Sequence, residues 1–142
     1  MSTSPKTIVI TGVSSGVGRA TAEALLQRGY RVFGSVRRAA DATELQQALG
    51  PQFTPLLFDV TDAAAITAAV ARVQAALAGA PLTALVNNAG VAFGGPLLYQ
   101  PIEVVRQHFE VNVLGLVQVT QAFLPLLGAR ADFTGTPGRV IN

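Results

Sequence analysis

The chain has no cysteine and no tryptophan, and only one histidine, one lysine and one methionine among its 142 residues. Without cysteine there is no disulfide framework, no thiol nucleophile and no Cys-ligated metal. His108 alone builds no histidine-rich metal site, so no metal is expected. Charge is scarce as well: ten Lys+Arg and eight Asp+Glu leave a formal net charge of +2, and charged residues make up 13% of the chain. The basic residues are scattered apart from the pair Arg37-Arg38, and no aromatics interleave with them, which excludes a nucleic-acid surface. Long hydrophobic runs are missing too. The polar start, residues 1–6, leads into an apolar stretch at 7–10 that is too short for a secretory core. Later apolar regions are broken by Arg72, Gln74, Gln118 and Gln121, so no membrane span is expected and the cytoplasm is the default location.

Half of the residues are hydrophobic, enough for one domain over 1–142 with a real core. Short β-branched runs alternate with stretches of helical period. Residues 7–11, 31–36, 54–58, 82–86 and 138–142 read as strands, and 17–28, 41–49 and 102–127 as helices. Gly50 would end the second helix. Another helix starts from an N-cap at Thr61 or Asp62 and carries the apolar stripe Ile66, Val70, Val73 and Leu77. This order implies an α/β domain with a doubly wound parallel sheet, binding its ligand at the carboxyl ends of the strands.

The segment Thr11-Gly12-Val13-Ser14-Ser15-Gly16-Val17-Gly18 joins the first strand to the first helix. Gly12 permits a tight exit, Gly16 lets backbone N–H groups approach a pyrophosphate, and Gly18 lets the helix pack close to the strand. The helix N-terminus, Ser14 and Ser15 add donors for an anion. On spacing alone, a glycine-rich turn without a ligand is the plainer alternative. No Gly-Lys-Ser/Thr follows, so this is not a P-loop. About 20 residues beyond the turn, where an NAD site carries Asp or Glu, stand Val36-Arg37-Arg38. Guanidinium groups there can grip a 2′-phosphate, with Ser35 adding a hydrogen bond, so NADP(H) is favoured over NAD(H). The plainer alternative is two solvated arginines at a strand end.

Three more motifs follow in order: Phe58-Asp59-Val60-Thr61-Asp62, Val86-Asn87-Asn88-Ala89-Gly90 and Phe109-Glu110-Val111-Asn112-Val113. Asp59 can accept a bond from an adenine amino group, or serve as a turn residue, and the two roles are compatible. Asn87 and Asn88 can satisfy backbone groups where the fourth strand ends. Asn112 shares a helix face with Phe109, Val113 and Leu116, and burying its amide without partners would cost about 1–3 kcal/mol. A bond to neighbouring backbone would also satisfy it. His108 reads as a helix-surface residue with no role.

With the glycine turn, these motifs resemble the short-chain dehydrogenase/reductase family across essentially the whole chain. The resemblance implies a Rossmann-type sheet and hydride transfer between a nicotinamide and a carbonyl or alcohol substrate. It implies that Asn88, Ala89 and Gly90 line the adenosine side of the cofactor, and it adds Val17, Val60 and Val111 to the cofactor set. It also implies that Asn112 holds a water of the proton relay. The same resemblance calls for a Ser, and for a Tyr with a Lys four residues later. Four residues after Tyr30 and Tyr99 stand Gly34 and Glu103, and the only lysine, Lys6, precedes the first strand. The expectation is therefore an incomplete sheet of about five of the family's strands: a cofactor-binding half, inactive alone, which could pair with another copy through helix 102–127. The alternative is a non-catalytic NADP-binding or interaction module.

Overall fold

The structure, a computed structural model, describes residues 5–142; residues 1–4, and the reading of a polar start that rests on them, lie outside it. Five parallel strands, β1 (Thr7–Ile10), β2 (Arg31–Val36), β3 (Phe53–Leu57), β4 (Ala84–Val86) and β5 (Arg139–Ile141), form one sheet in the order β3-β2-β1-β4-β5. Four helices connect them: α1 (Gly16–Gln27), α2 (Ala39–Leu49), α3 (Ala63–Leu77) and α4 (Ile102–Leu127). β1 and β4 are neighbours although α1, β2, α2, β3 and α3 lie between them in sequence. The chain reverses its winding direction there, and the carboxyl ends of these two strands open into a crevice.

Strand alternation sorts the core into two layers. Ile8, Ile10, Val32 and Val36 face α1 and α2, where Ala22 and Leu45 are buried. Val9, Phe33 and Leu56 face Ile66, Ala69, Val73 and Leu77 of α3 and Val119 and Phe123 of α4. Helices on both faces account for strands that are apolar on both sides. The expected punctuation is present. Asp62 caps α3 by accepting the Ala65 N–H at 3.0 Å, and Gly50 ends α2 with φ +79°.

Two expectations about helix 102–127 change. The helix is not uniform, because residues Glu110–Gly115 form a π-helical turn and Leu124–Leu127 a 3₁₀ end. At the π-turn Gly115 packs on Val60, and a Cβ there would come within 2.7 Å of Val60 Cγ2. By length and composition α4 is also apolar enough to cross a membrane, with a mean hydropathy of 1.3 over its most apolar stretch. Gln118 and Gln121 are too few to offset the surrounding Val and Leu. Its second half is a core element all the same, since Val119, Phe123, Leu126 and Leu127 pack onto the sheet side of α3.

Candidate functional site

The glycine turn is held from both neighbouring strands. The buried Thr11 hydroxyl accepts the N–H groups of Asn88 and Ala89 at 3.0 and 2.9 Å. In return the Asn88 side chain donates to the carbonyls of Thr11 and Gly12 at 3.0 and 2.8 Å. Gly12 has φ +71°, and a Cβ on it would stand 2.9 Å from Ala89 Cα. Gly16 has φ +60° and faces open space. A Cβ on Gly18 would run into the Gly12 carbonyl and the Asn88 amide nitrogen. From the other side, Ser35 Oγ accepts the Gly12 N–H at 3.0 Å and its carbonyl accepts the Val13 N–H. Ser35 is buried and its Oγ serves the turn as an acceptor, while the residue also lines the cleft.

Ser15 is the N-cap of α1, yet its side chain makes no capping bond and the first turn carries no acidic residue. The hydroxyl and the dipole end are both left to whatever fills the crevice. That crevice is a cleft of about 260 Å³. Of the predicted residues, Gly12, Ser14, Ser15, Arg37, Asp59, Val60, Asn88, Ala89, Gly90 and Val111 line it. Ser35, Val36, Phe58 and Val91 join them. Gly16, Val17, Gly18, Arg38 and Asn112 do not. Gly18 acts one layer behind the wall, by letting α1 approach Asn88.

Arg37 and Asp59 are the charged residues that line the cleft. Asp59 Oδ1 accepts both the Thr61 N–H (2.9 Å) and the Thr61 hydroxyl (2.7 Å), the turn role that its position suggested. Arg38 faces elsewhere. Its Nε and Nη2 donate to the two carboxylate oxygens of Asp41 at 2.9 and 2.6 Å, a two-bond fork across the first turn of α2. The hydrogen bonds from Arg38 come first in holding the Asp41 carboxyl below its usual value; they outweigh desolvation, which acts the other way, and the charges of Arg38 and Arg37 add to them.

Asn112 is not in a buried stripe. Phe109 and Val113 are 60% and 45% exposed, because α4 turns this face outward before its second half enters the core. The amide is satisfied by backbone instead. Asn112 Oδ1 accepts the Val91 N–H and Nδ2 donates to the Val91 carbonyl, both at 2.8 Å. One turn earlier, His108 Nε2 accepts the Phe93 N–H at 2.8 Å, and its ring stacks on Phe93 with centroids 5.3 Å apart. Gln100 donates to the Phe93 carbonyl at 3.0 Å. His108 therefore has a structural role that its sequence position did not reveal: with Asn112 it grips alternate residues of the segment leaving β4. Asn87 donates to Thr120 Oγ1 of α4 and to Asn142 Oδ1.

A Rossmann-type sheet whose first glycine turn and fourth-strand exit flank one cleft makes this an α/β domain of the nucleotide-binding class. The chain belongs to the short-chain dehydrogenase family, whose sequence model, described as short chain dehydrogenase, matches residues 6–142. It is 47% identical over 124 residues to the NADPH-dependent 3-dehydrocapnine reductase of Ornithobacterium rhinotracheale, covering 87% of this chain and 44% of that protein. It is 39% identical over 127 residues to a serine 3-dehydrogenase of Rhizobium radiobacter, covering 85% and 48%. Among solved structures, a short-chain dehydrogenase from Streptomyces avermitilis superposes with a TM-score of 0.84 at 34% identity, over 98% of this chain and 48% of the other. The NADPH-bound carbonyl reductase from chicken fatty liver gives 0.85 at 28% identity, over 97% and 56%. The chain spans about half the length of the curated relatives it matches.

Proposed function

We propose that this chain is the cofactor-binding half of an NADP(H)-dependent oxidoreductase that interconverts a small carbonyl compound and its alcohol. One observation carries the reading. Arg37 stands in the cleft at the end of β2, where an NAD site would present a carboxylate, opposite a glycine turn with an uncommitted N-cap serine. The residues fit the group: Gly16 leaves open space where a Cβ would stand, Ser14, Ser15 and the first turn of α1 meet the pyrophosphate, and Arg37 meets the 2′-phosphate. Asp59 Oδ2 and Val60 lie on the adenine side, while Ala89, Gly90 and Val111 leave room for a flat ring or ribose. When bound, the nicotinamide supplies the hydride.

A proton must move with that hydride. This chain has no Tyr-x-x-x-Lys to move it, so the proton donor and most of the substrate pocket belong to residues beyond this half, and the chain alone is inactive. Asn112 has each end of its amide bonded once to Val91, which leaves one N–H and one oxygen lone pair for a relay water. In this reading the protein is cytoplasmic. The competing reading, a non-catalytic NADP-binding module, gains from the two bonds of Asn112 to Val91, because they give the residue an architectural use without any relay.

Thermal denaturation of the purified chain with NADPH and, in parallel, NADH tests the assignment. At a hundredfold excess over Kd a ligand stabilises a folded site by about 2.7 kcal/mol, several degrees for a domain of this size. NADPH should raise the midpoint more than NADH, and a larger rise with NADH overturns the NADP assignment. Carbonyl reduction by a homogeneous preparation, abolished by Arg37→Asp, would sink the claim that this half is inactive alone.

A further inference from the structure

We infer that Asp41 is a positioning residue for cofactor specificity, holding the Arg38 fork beside the cleft so that recognition of a 2′-phosphate falls to Arg37 alone. The inference rests on the NADP(H) reading above. Arg37 and Arg38 are consecutive at the end of β2, but their side chains part: Arg37 lines the cleft, and Arg38 is bound edge-on by the Asp41 carboxylate through Nε and Nη2. A carboxylate and a phosphate compete for the same donors of a guanidinium, because both take the parallel pair of N–H bonds. While Asp41 holds that pair, the Nε/Nη2 side of Arg38 is closed to a phosphate and only its Nη1/Nη2 end stays free. The Arg38 side chain is 77% exposed and that of Asp41 18%, so the free end of the guanidinium is open to water.

Asp41 also stands close enough to Arg37 for the positive charge of Arg37 to stabilise its ionised form. A carboxylate there acts against a 2′-phosphate twice, by occupying Arg38 and by opposing a second negative charge near Arg37. Removing its charge weakens the hold on Arg38 and takes away the negative charge near Arg37.

The test is a nicotinamide-fluorescence titration of the 142-residue chain, reading the ratio of the NADH to the NADPH dissociation constant. Asp41→Asn keeps the shape and removes the charge. It should raise that ratio roughly two- to fivefold, the range expected for an exposed ion pair. Adding Arg38→Ala to Asp41→Asn should remove most of the gain, and Arg38→Ala alone should leave the ratio near its starting value. A gain of the same size in the double variant would show that Asp41 acts by its charge alone and would overturn its positioning role. An unchanged or lowered ratio in Asp41→Asn overturns the inference while the NADP(H) reading stands, provided the unsubstituted chain prefers NADPH. If the unsubstituted chain prefers NADH or binds neither, both fall.

Discussion

The Asn88 amide nitrogen occupies the space that a Cβ on Gly18 would need. Helix α1, the glycine turn and the end of β4 therefore meet through one side chain, which ties the Thr11 and Gly12 carbonyls to the far side of the crevice. Asn88→Ala removes both bonds and leaves two partly buried carbonyls without that donor. It should destabilise the chain by about 1–3 kcal/mol in urea unfolding and weaken NADPH and NADH together. Gly18→Ala should be worse than Asn88→Ala, because the new methyl also meets the Gly12 carbonyl. Combining the two would relieve the clash with the amide and leave the clash with the carbonyl. Stability of the double variant equal to that of Gly18→Ala would show that the backbone contact dominates.

Ser35 and Arg37 are two residues apart on one strand end, and they should fail in different ways. Ser35→Ala orphans the Gly12 N–H and loosens the turn, so NADPH and NADH should weaken by the same factor. Arg37→Ala removes a charged contact to the 2′-phosphate alone. NADPH binding should fall about ten- to a hundredfold, the cost of one or two charge-assisted bonds, with NADH nearly unchanged. Equal losses of both cofactors in Arg37→Ala would remove the reason to assign NADP(H).

His108 accepts the Phe93 N–H at Nε2 and stacks on the Phe93 ring. His108→Leu keeps a bulky side chain without an acceptor. The Phe93 amide should then exchange with deuterium markedly faster, and His108→Gln, which restores an acceptor, should recover part of the protection. Protection unchanged in His108→Leu would mean that Gln100 and the Asn112 bonds to Val91 hold the segment unaided.

The contrast between Gly12 and His108 shows what pattern can and cannot carry. The turn, the strands and the caps are local: glycine at a positive φ, Asp62 at an N-cap, and period-two or period-3.6 apolar spacing all act within a few residues of themselves. The chain order of β1, β4 and their exits then follows from winding rules, so the cleft could be placed from sequence with Asp59 and Asn88 on its rim. The bonds between elements were beyond the same reasoning. Ser35 turns inward to Gly12 across 23 residues, and Asn112 reaches 21 residues back to Val91. Arg38 turns away to Asp41, a partner only three residues on that a helix start brings within reach. The outward face of α4 misled for another reason: an apolar stripe signals burial only where something covers it.

The Arg38–Asp41 fork has a defined acid limit. The folded-state pKa of Asp41 lies below the ordinary 3.8, so whatever the pair contributes is complete above that value and fades as the pH falls through the lower folded one. Carboxyl NMR titration should give Asp41 a midpoint below 3.8, and Arg38→Ala should move it up. Between about pH 5 and 9 the fork stays intact, and any change there in the NADPH-to-NADH ratio belongs to another group. An Asp41 midpoint above the ordinary value would mean that the two bonds are not maintained in solution.

The middle of α4 leaves Phe109, Val113, Leu114 and Val117 open to water, four large apolar side chains on one stretch of a helix that is packed from Val119 onward. Contiguous apolar surface of this kind mostly marks a contact with another chain or segment. The purified chain should therefore self-associate, with a sedimentation coefficient that rises with concentration. Val117→Lys, or Phe109→Glu, should return it to a monomer without lowering its thermal midpoint, because neither residue is in the core. The charge of Val117→Lys sits two turns from Phe109, so agreement between the variants would mark one continuous face. A chain that stays monomeric at all concentrations would show that this face is tolerated in water, and homo-oligomerisation through α4 would then lose its support.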